Sequence, residues 1–241
     1  MVSLSAFATS AMAQDRAEGF SVGLSVAAGN GIFVGGDGEA GALPSFRYDS
    51  DALSFGLATG LRVTVFEQDA LRFSAIVAPR FSAIDISDSS ALSGFDREIT
   101  ADAGVQVRYI LGGGAALTAK AVTELTDEHG GSELALSISQ ATPVAGIPVR
   151  FGAGVTWQSD DLALYNFGVT PADAAASTFA PYNPGDVLIP HISVGTSIPL
   201  SDRVRLNGSV RAEFFPDAIT DSPIIDEDIG VGAFLGISYS F

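Results

Sequence analysis

Apolar residues alternate with small or polar ones in short runs along most of this chain, the period of two expected of a β-strand with two unlike faces. Arg203 to Phe215 shows it most plainly. Val204, Leu206, Gly208, Val210, Ala212 and Phe214 make one face, and Arg203, Arg205, Asn207, Ser209, Arg211 and Glu213 make the other. Gly230 to Phe241 repeats the pattern, with Val231, Ala233, Leu235, Ile237, Tyr239 and Phe241 on the apolar face. Similar runs are Phe20 to Ala28, Ala42 to Asp49, Ala52 to Phe66, Leu71 to Ser82, Ala101 to Leu111, Ala115 to Leu125, Glu133 to Gln140, Ile147 to Gln158 and Val187 to Leu200, eleven in all. Thr59-Gly60 reads as a tight turn that splits the longest run in two. The pattern therefore predicts about twelve strands, with ten as the alternative if weak N-terminal runs merge.

An even count suits a bacterial barrel whose two ends lie in the periplasm. No run of eighteen apolar residues is present, so a membrane helix is excluded and a closed barrel is the remaining way to satisfy the backbone inside lipid. The expected fold is an all-β, transmembrane, antiparallel up-and-down β-barrel. Connections at Glu67 to Ala70, Gly112 to Gly114, Pro143 to Gly146 and Ser201-Asp202 are short, whereas those at Ile84 to Thr100, Ser159 to Asp186 and Pro216 to Ile229 are long. That asymmetry assigns the short turns to the periplasm. Aromatic residues at the strand ends, among them Trp157 and Phe214 outside and Tyr109 and Tyr239 inside, fit two interfacial girdles. The final strand, with Gly236, Tyr239 and terminal Phe241, is similar to the signal by which the barrel-assembly machinery inserts such proteins. At the other end, Val2 to Thr9 is apolar and leads to Ala11-Met12-Ala13, a signal-peptide cleavage pattern. Residues 1–13 are expected to be a signal peptide and 14–241 the barrel; no basic residue precedes the apolar run, which points to a translation start a few codons upstream.

Charge refines this picture. The net charge is −16 with no cysteine, which argues against nucleic-acid binding and excludes disulfides and thiolate sites. Strand parity sends Arg62, Arg72, Arg80, Arg108, Lys120, Arg150, Arg203, Arg205 and Arg211 into the lumen, against the acids Asp102, Glu124, Glu133 and Glu213. Two readings follow. The arginines line a narrow anion-preferring channel, or they pair with the acids and fill the lumen.

The acidic pairs Asp127-Glu128 and Asp160-Asp161 and the triplet Asp226-Glu227-Asp228 fall at the outer rim. They are solvated loops or bridges through Ca²⁺ or Mg²⁺ to lipopolysaccharide; no regularly spaced oxygen-ligand loop is present, so no metal or cofactor is assigned. His191 faces inward two residues before Ser193, but the pair has no orienting third group, and the chain is expected to be non-enzymatic.

The long loop carries the most distinctive segment, Tyr165 to Ser177 followed by Tyr182 to Gly185. Thr170 is suited to cap a helix, Pro171 to begin it and Asp173 to reach back to its start, which predicts a short helix over the barrel mouth. Tyr165, Phe167, Gly168, Val169, Thr170, Pro171, Ala174 and Ser177, with Tyr182 beyond them, resemble a loop motif of the MipA/OmpV family of outer-membrane proteins. The resemblance is strong from Trp157 to Phe241 and looser upstream. It implies a Gram-negative outer-membrane barrel acting as a scaffold, binding a lytic transglycosylase and a murein synthase; other members are linked to adhesion, osmotic response or small-molecule uptake.

Overall fold

The computed structural model describes residues 19–82, 84 and 89–241; the expected signal peptide lies outside them. Twelve strands, all antiparallel to their neighbours in sequence, close into one barrel when β1 pairs with β12. The strands are β1 (Gly19–Gly29), β2 (Glu39–Asp49), β3 (Leu53–Gly56), β4 (Gly60–Gln68), β5 (Leu71–Arg80), β6 (Thr100–Gly112), β7 (Ala115–Glu124), β8 (Ser132–Val144), β9 (Ile147–Gln158), β10 (Val187–Pro199), β11 (Val204–Phe214) and β12 (Ile229–Ser240). The divided run does hold two strands, β3 and β4. Arg203, expected on an inward face, sits instead in the turn before β11, where its Nη1 donates to Tyr239 Oη at 3.1 Å.

The alternation governs which side chains face outward. Leu24 is 56% exposed, Leu136 52% and Leu235 59%. Such apolar exposure suits a wall wetted by lipid and would be costly in water. Turns at one end are tight: the β8–β9 turn rests on Ala145 and Gly146, both at positive φ (51° and 83°), which matches the right-handed twist of its strands.

One part of the wall is thin. β3 pairs with β2 only through Arg47, Tyr48 and Asp49, so the outer part of β2 is laddered to β1 alone. Pro44 lies on that singly paired stretch, where a missing N–H costs no ladder bond.

The outer end holds helices α1 (Asp160–Phe167), α2 (Pro171–Ala176) and α3 (Asp217–Thr220). Asp160 and Asp161 in the first turn of α1 complement its dipole. The hydrophobic core of the described residues also lies at this end. Ile32 and Phe33 after β1, Ile84, Leu92 and Phe95 after β5, Phe167 and Val169 after β9, and Ile219, Ile224 and Ile225 after β11 pack together with Val187 and Ile189 of β10. The loops after β1, β5 and β9 spring from points four strands apart on a twelve-strand ring. Loops so placed meet only by crossing the mouth.

Candidate functional site

The outer loops form a cap held by polar as well as apolar contacts. Arg97, 5% exposed, is its centre. Its Nη1 and Nη2 donate to the two carboxylate oxygens of Asp173 at 3.1 and 2.6 Å, and its Nε donates to the Tyr165 carbonyl at 2.9 Å. The guanidinium also lies 5.5 Å from the Tyr165 ring centre and 5.6 Å from that of Phe95, within cation–π range. Asp173 has a second task. It accepts from the Thr170 N–H at 2.9 Å while Thr170 Oγ1 accepts from the Asp173 N–H at 3.1 Å, the reciprocal capping box that starts α2. Burial pushes the Asp173 carboxyl up, but the bonds from Arg97 and Thr170 outweigh it and hold it below the usual carboxylate range.

The other residues of the loop motif join this cap. The Tyr165 hydroxyl donates to the Glu98 carbonyl, and its ring stacks on His129 at 4.6 Å. Phe167 packs on Phe215, and its carbonyl accepts from Ser222 Oγ at 2.6 Å. Gly168 ends α1 by donating its N–H to the Leu164 carbonyl. Val169 and Tyr182 exchange backbone bonds at 2.9 Å, and the Tyr182 hydroxyl donates to the Ala218 carbonyl. Pro171 occupies the first turn of α2. Loop 30–38 ties in through a bridge between Phe33 and Ile225 and a bond from Ser89 Oγ to the Val34 carbonyl.

Beneath the cap, the outer part of the lumen is filled by ion pairs. Arg80 donates to Asp102 at 2.8 Å and to Glu133 at 3.0 Å, while Lys120 reaches Glu133 at 2.6 Å. Arg211 pairs with Glu213 at 2.8 Å on one face of β11. His191 is buried beside them, its ring accommodated because a Cβ on Gly154 would stand 2.8 Å from it.

Besides Arg203, one residue expected in the lumen is engaged elsewhere. Glu124, at the outer end of β7, turns its carboxylate into the β7–β8 loop and accepts from the N–H groups of Glu128, His129 and Gly130; an acid at a strand end meets unpaired loop amides before it meets a lumen cation. Arg72 shares the lumen face with Arg108, its register partner, and at the periplasmic rim is bidentate to Glu67 through Nε and Nη2 at 3.0 and 2.7 Å.

Deeper in the barrel the pairing is incomplete. Arg62 on β4 and Arg108 on β6 have buried Nε atoms without an acceptor; Arg150 on β9 has the same, and its Nη1 donates to Ser139 Oγ at 3.1 Å. Arg205, near the periplasmic end of β11, is half-buried. Arg47 is a further basic residue at this depth. It lies on β2 with Asp49 at 2.6 Å and within electrostatic reach of Arg62.

At the closing strand, Gly236 lies close to Ser25, where a Cβ would be 2.9 Å from the serine Cβ. Tyr239 and Phe241 meet edge to face at 5.2 Å, and Phe241 is 72% exposed. Arg97 is the residue that strand reasoning missed. The available signal was that no other Lys or Arg occurs in the long outer loops.

The comparisons agree with this architecture. The family described as MltA-interacting protein MipA matches residues 22–241. The chain belongs to the MipA family. Within it, the chain is 28% identical to the MltA-interacting protein of Escherichia coli, over 94% of this chain and 92% of that one. It is 26% identical to YiaT of the same organism, over 98% and 96%, and 23% identical to outer membrane protein Omp26La of Vibrio anguillarum, over 79% and 74%. An outer-membrane channel of Pseudomonas putida superposes with a TM-score of 0.50 at 10% identity, covering 95% of this chain and 97% of that one. That likeness concerns the fold. This MipA-family chain is an outer-membrane β-barrel.

Proposed function

We propose that this family member is a non-conducting, non-enzymatic scaffold that holds a murein lytic transglycosylase, and with it a murein synthase, at the outer membrane. The observation that carries the reading is the cap. Loops from around the ring share one apolar core across the mouth, above a lumen filled by the Arg80–Asp102–Glu133–Lys120 network. A barrel closed in this way offers the periplasm its rim of short turns and its wall rather than a passage. The name of the MltA-interacting relative supports the transglycosylase; the synthase rests on the family resemblance alone.

The refolded barrel is expected to be silent in a planar bilayer and to retain a purified lytic transglycosylase when immobilised. Failure of the folded barrel to retain the enzyme at micromolar concentration would overturn the scaffold reading.

A second reading, a narrow anion-preferring channel for small solutes, draws on the unpaired Arg62, Arg108 and Arg150. It requires the cap to open. Stable current steps with an anion-selective reversal potential, inverted by Arg108→Glu with Arg150→Glu, would favour it over the scaffold.

A further inference from the structure

Among the described residues, Arg62, Arg108 and Arg150 are lumen arginines whose buried Nε atoms find no acceptor. They come from strands on a broad arc of the wall, yet Arg108 lies within electrostatic reach of both Arg150 and Arg62. Alternation along β4, β6 and β9 turns all three towards the lumen. Each has a buried Nε hydrogen with no acceptor, and Arg150 is only 9% exposed. A guanidinium cannot relieve this by losing its proton, and each unmet buried donor has given up its bond to water without replacement.

The nearest acids are already committed. Asp49 and Glu67 pair with Arg47 and Arg72, while Asp102 and Glu133 hold Arg80 and Lys120 above. Three guanidinium groups whose Nε donors lack acceptors, with hydroxyls such as Ser139 beside them, form the donor set that planar or tetrahedral oxyanions satisfy in bidentate fashion. The cap and the Arg80 network stand between this cluster and the outside, whereas the cluster lies towards the end with the short turns.

We propose that the periplasmic half of the lumen is a blind-ended binding site for a small oxyanion of two or more negative charges, a carboxylate or a phosphate, entering from the periplasm. The proposal is independent of scaffolding. A barrel that binds the anion but not the transglycosylase, or the reverse, separates the two.

The test uses the full barrel refolded in detergent, with inorganic pyrophosphate and citrate as probes in titration calorimetry. Saturable binding of either probe is expected and identifies the preferred oxyanion. Arg108→Gln and Arg150→Gln should each weaken it at least tenfold, Arg150→Lys less, and Arg203→Gln in the exposed turn not at all. Folding of each variant is checked by its heat-dependent gel shift. Because the chain has no cysteine, Thr118→Cys, opposite Arg108 in register, provides a unique label site in oriented vesicles. The bound probe should protect it from a membrane-impermeant maleimide added at the short-turn side. No binding by the folded wild-type barrel, binding indifferent to both glutamine variants, or labelling solely from the long-loop side would overturn the proposal.

Discussion

Arg97 joins two loops through one side chain, so its removal does more than delete a contact. Arg97→Ala leaves the 4%-exposed Asp173 carboxylate without its cation, and breaking a buried pair in this one-sided way costs about 3–5 kcal/mol. The strands keep their ladders, so the cost falls on the cap alone. The readout is a thiol at Ala163→Cys, fully buried in the cap core, compared with exposed Ala175→Cys. Arg97→Ala should raise the relative reactivity of the buried thiol by two orders of magnitude or more. Acid should act on the same region in two stages. Burial holds His129 below its ordinary value of 6.5 against the opposing charge of Glu124; its Nδ1 accepts from the Gly131 N–H, a bond only the neutral ring can make. Its contribution is complete above pH 6.5 and is lost as pH falls through the depressed folded value. Asp173 is likewise depressed below its ordinary 3.8, so its contribution is complete above that pH and lost on further acidification. Reactivity of the buried thiol, read with a reagent active in acid, should rise first below pH 6.5 and again below 3.8. A profile flat from pH 8 to 3 would refute both assignments.

At the scale of elements, strands were legible because lipid and lumen impose opposite chemistry on alternate residues, and because Thr59-Gly60 marked the one hairpin hidden inside a run. Helix α2 was legible for a local reason as well, since Thr170, Pro171 and Asp173 each act within a single turn. Helix α1 was not. Its eight residues, Asp160–Phe167, are too few to show a helical period, and what stabilises it is packing by Tyr165 and Phe167 onto distant loops. The cap core was hidden for the same reason: Phe33 meets Ile225, and no local pattern reports a contact across so much chain. Nor could parity say which arginines pair, since it gives the face of a residue and not its height in the barrel; Arg80 and Arg108 share a face assignment and have opposite fates. The capping box can be tested by itself. Thr170→Ala removes the acceptor for the Asp173 N–H while leaving the Arg97 pair in place, at a cost of about 1 kcal/mol. Protection of Ala163→Cys should therefore fall roughly fivefold, well short of the Arg97→Ala effect.

Over the whole molecule, the two ends of the lumen differ in kind. The outer part pairs its charges and lies under an apolar lid, whereas the inner part, beside the Arg47–Asp49 and Arg72–Glu67 pairs, holds three arginines whose Nε donors lack acceptors. Lid and network obstruct passage in series, so opening the lid alone should not convert the protein into a wide pore; the Arg80 cluster still stands below it. Arg97→Ala combined with Arg80→Ser and Glu133→Ser removes both barriers and leaves the ladders of β5 and β8 intact. This triple variant should conduct in a planar bilayer where the parent is silent, and its reversal potential in asymmetric salt should be that of an anion-preferring path, because Arg62, Arg108 and Arg150 then dominate the charge of the inner lumen. Adding Arg108→Gln and Arg150→Gln should abolish that preference without abolishing the current. A cation-selective triple variant would show that these arginines do not line the path, and with it the assignment of an oxyanion site to the inner lumen would fall.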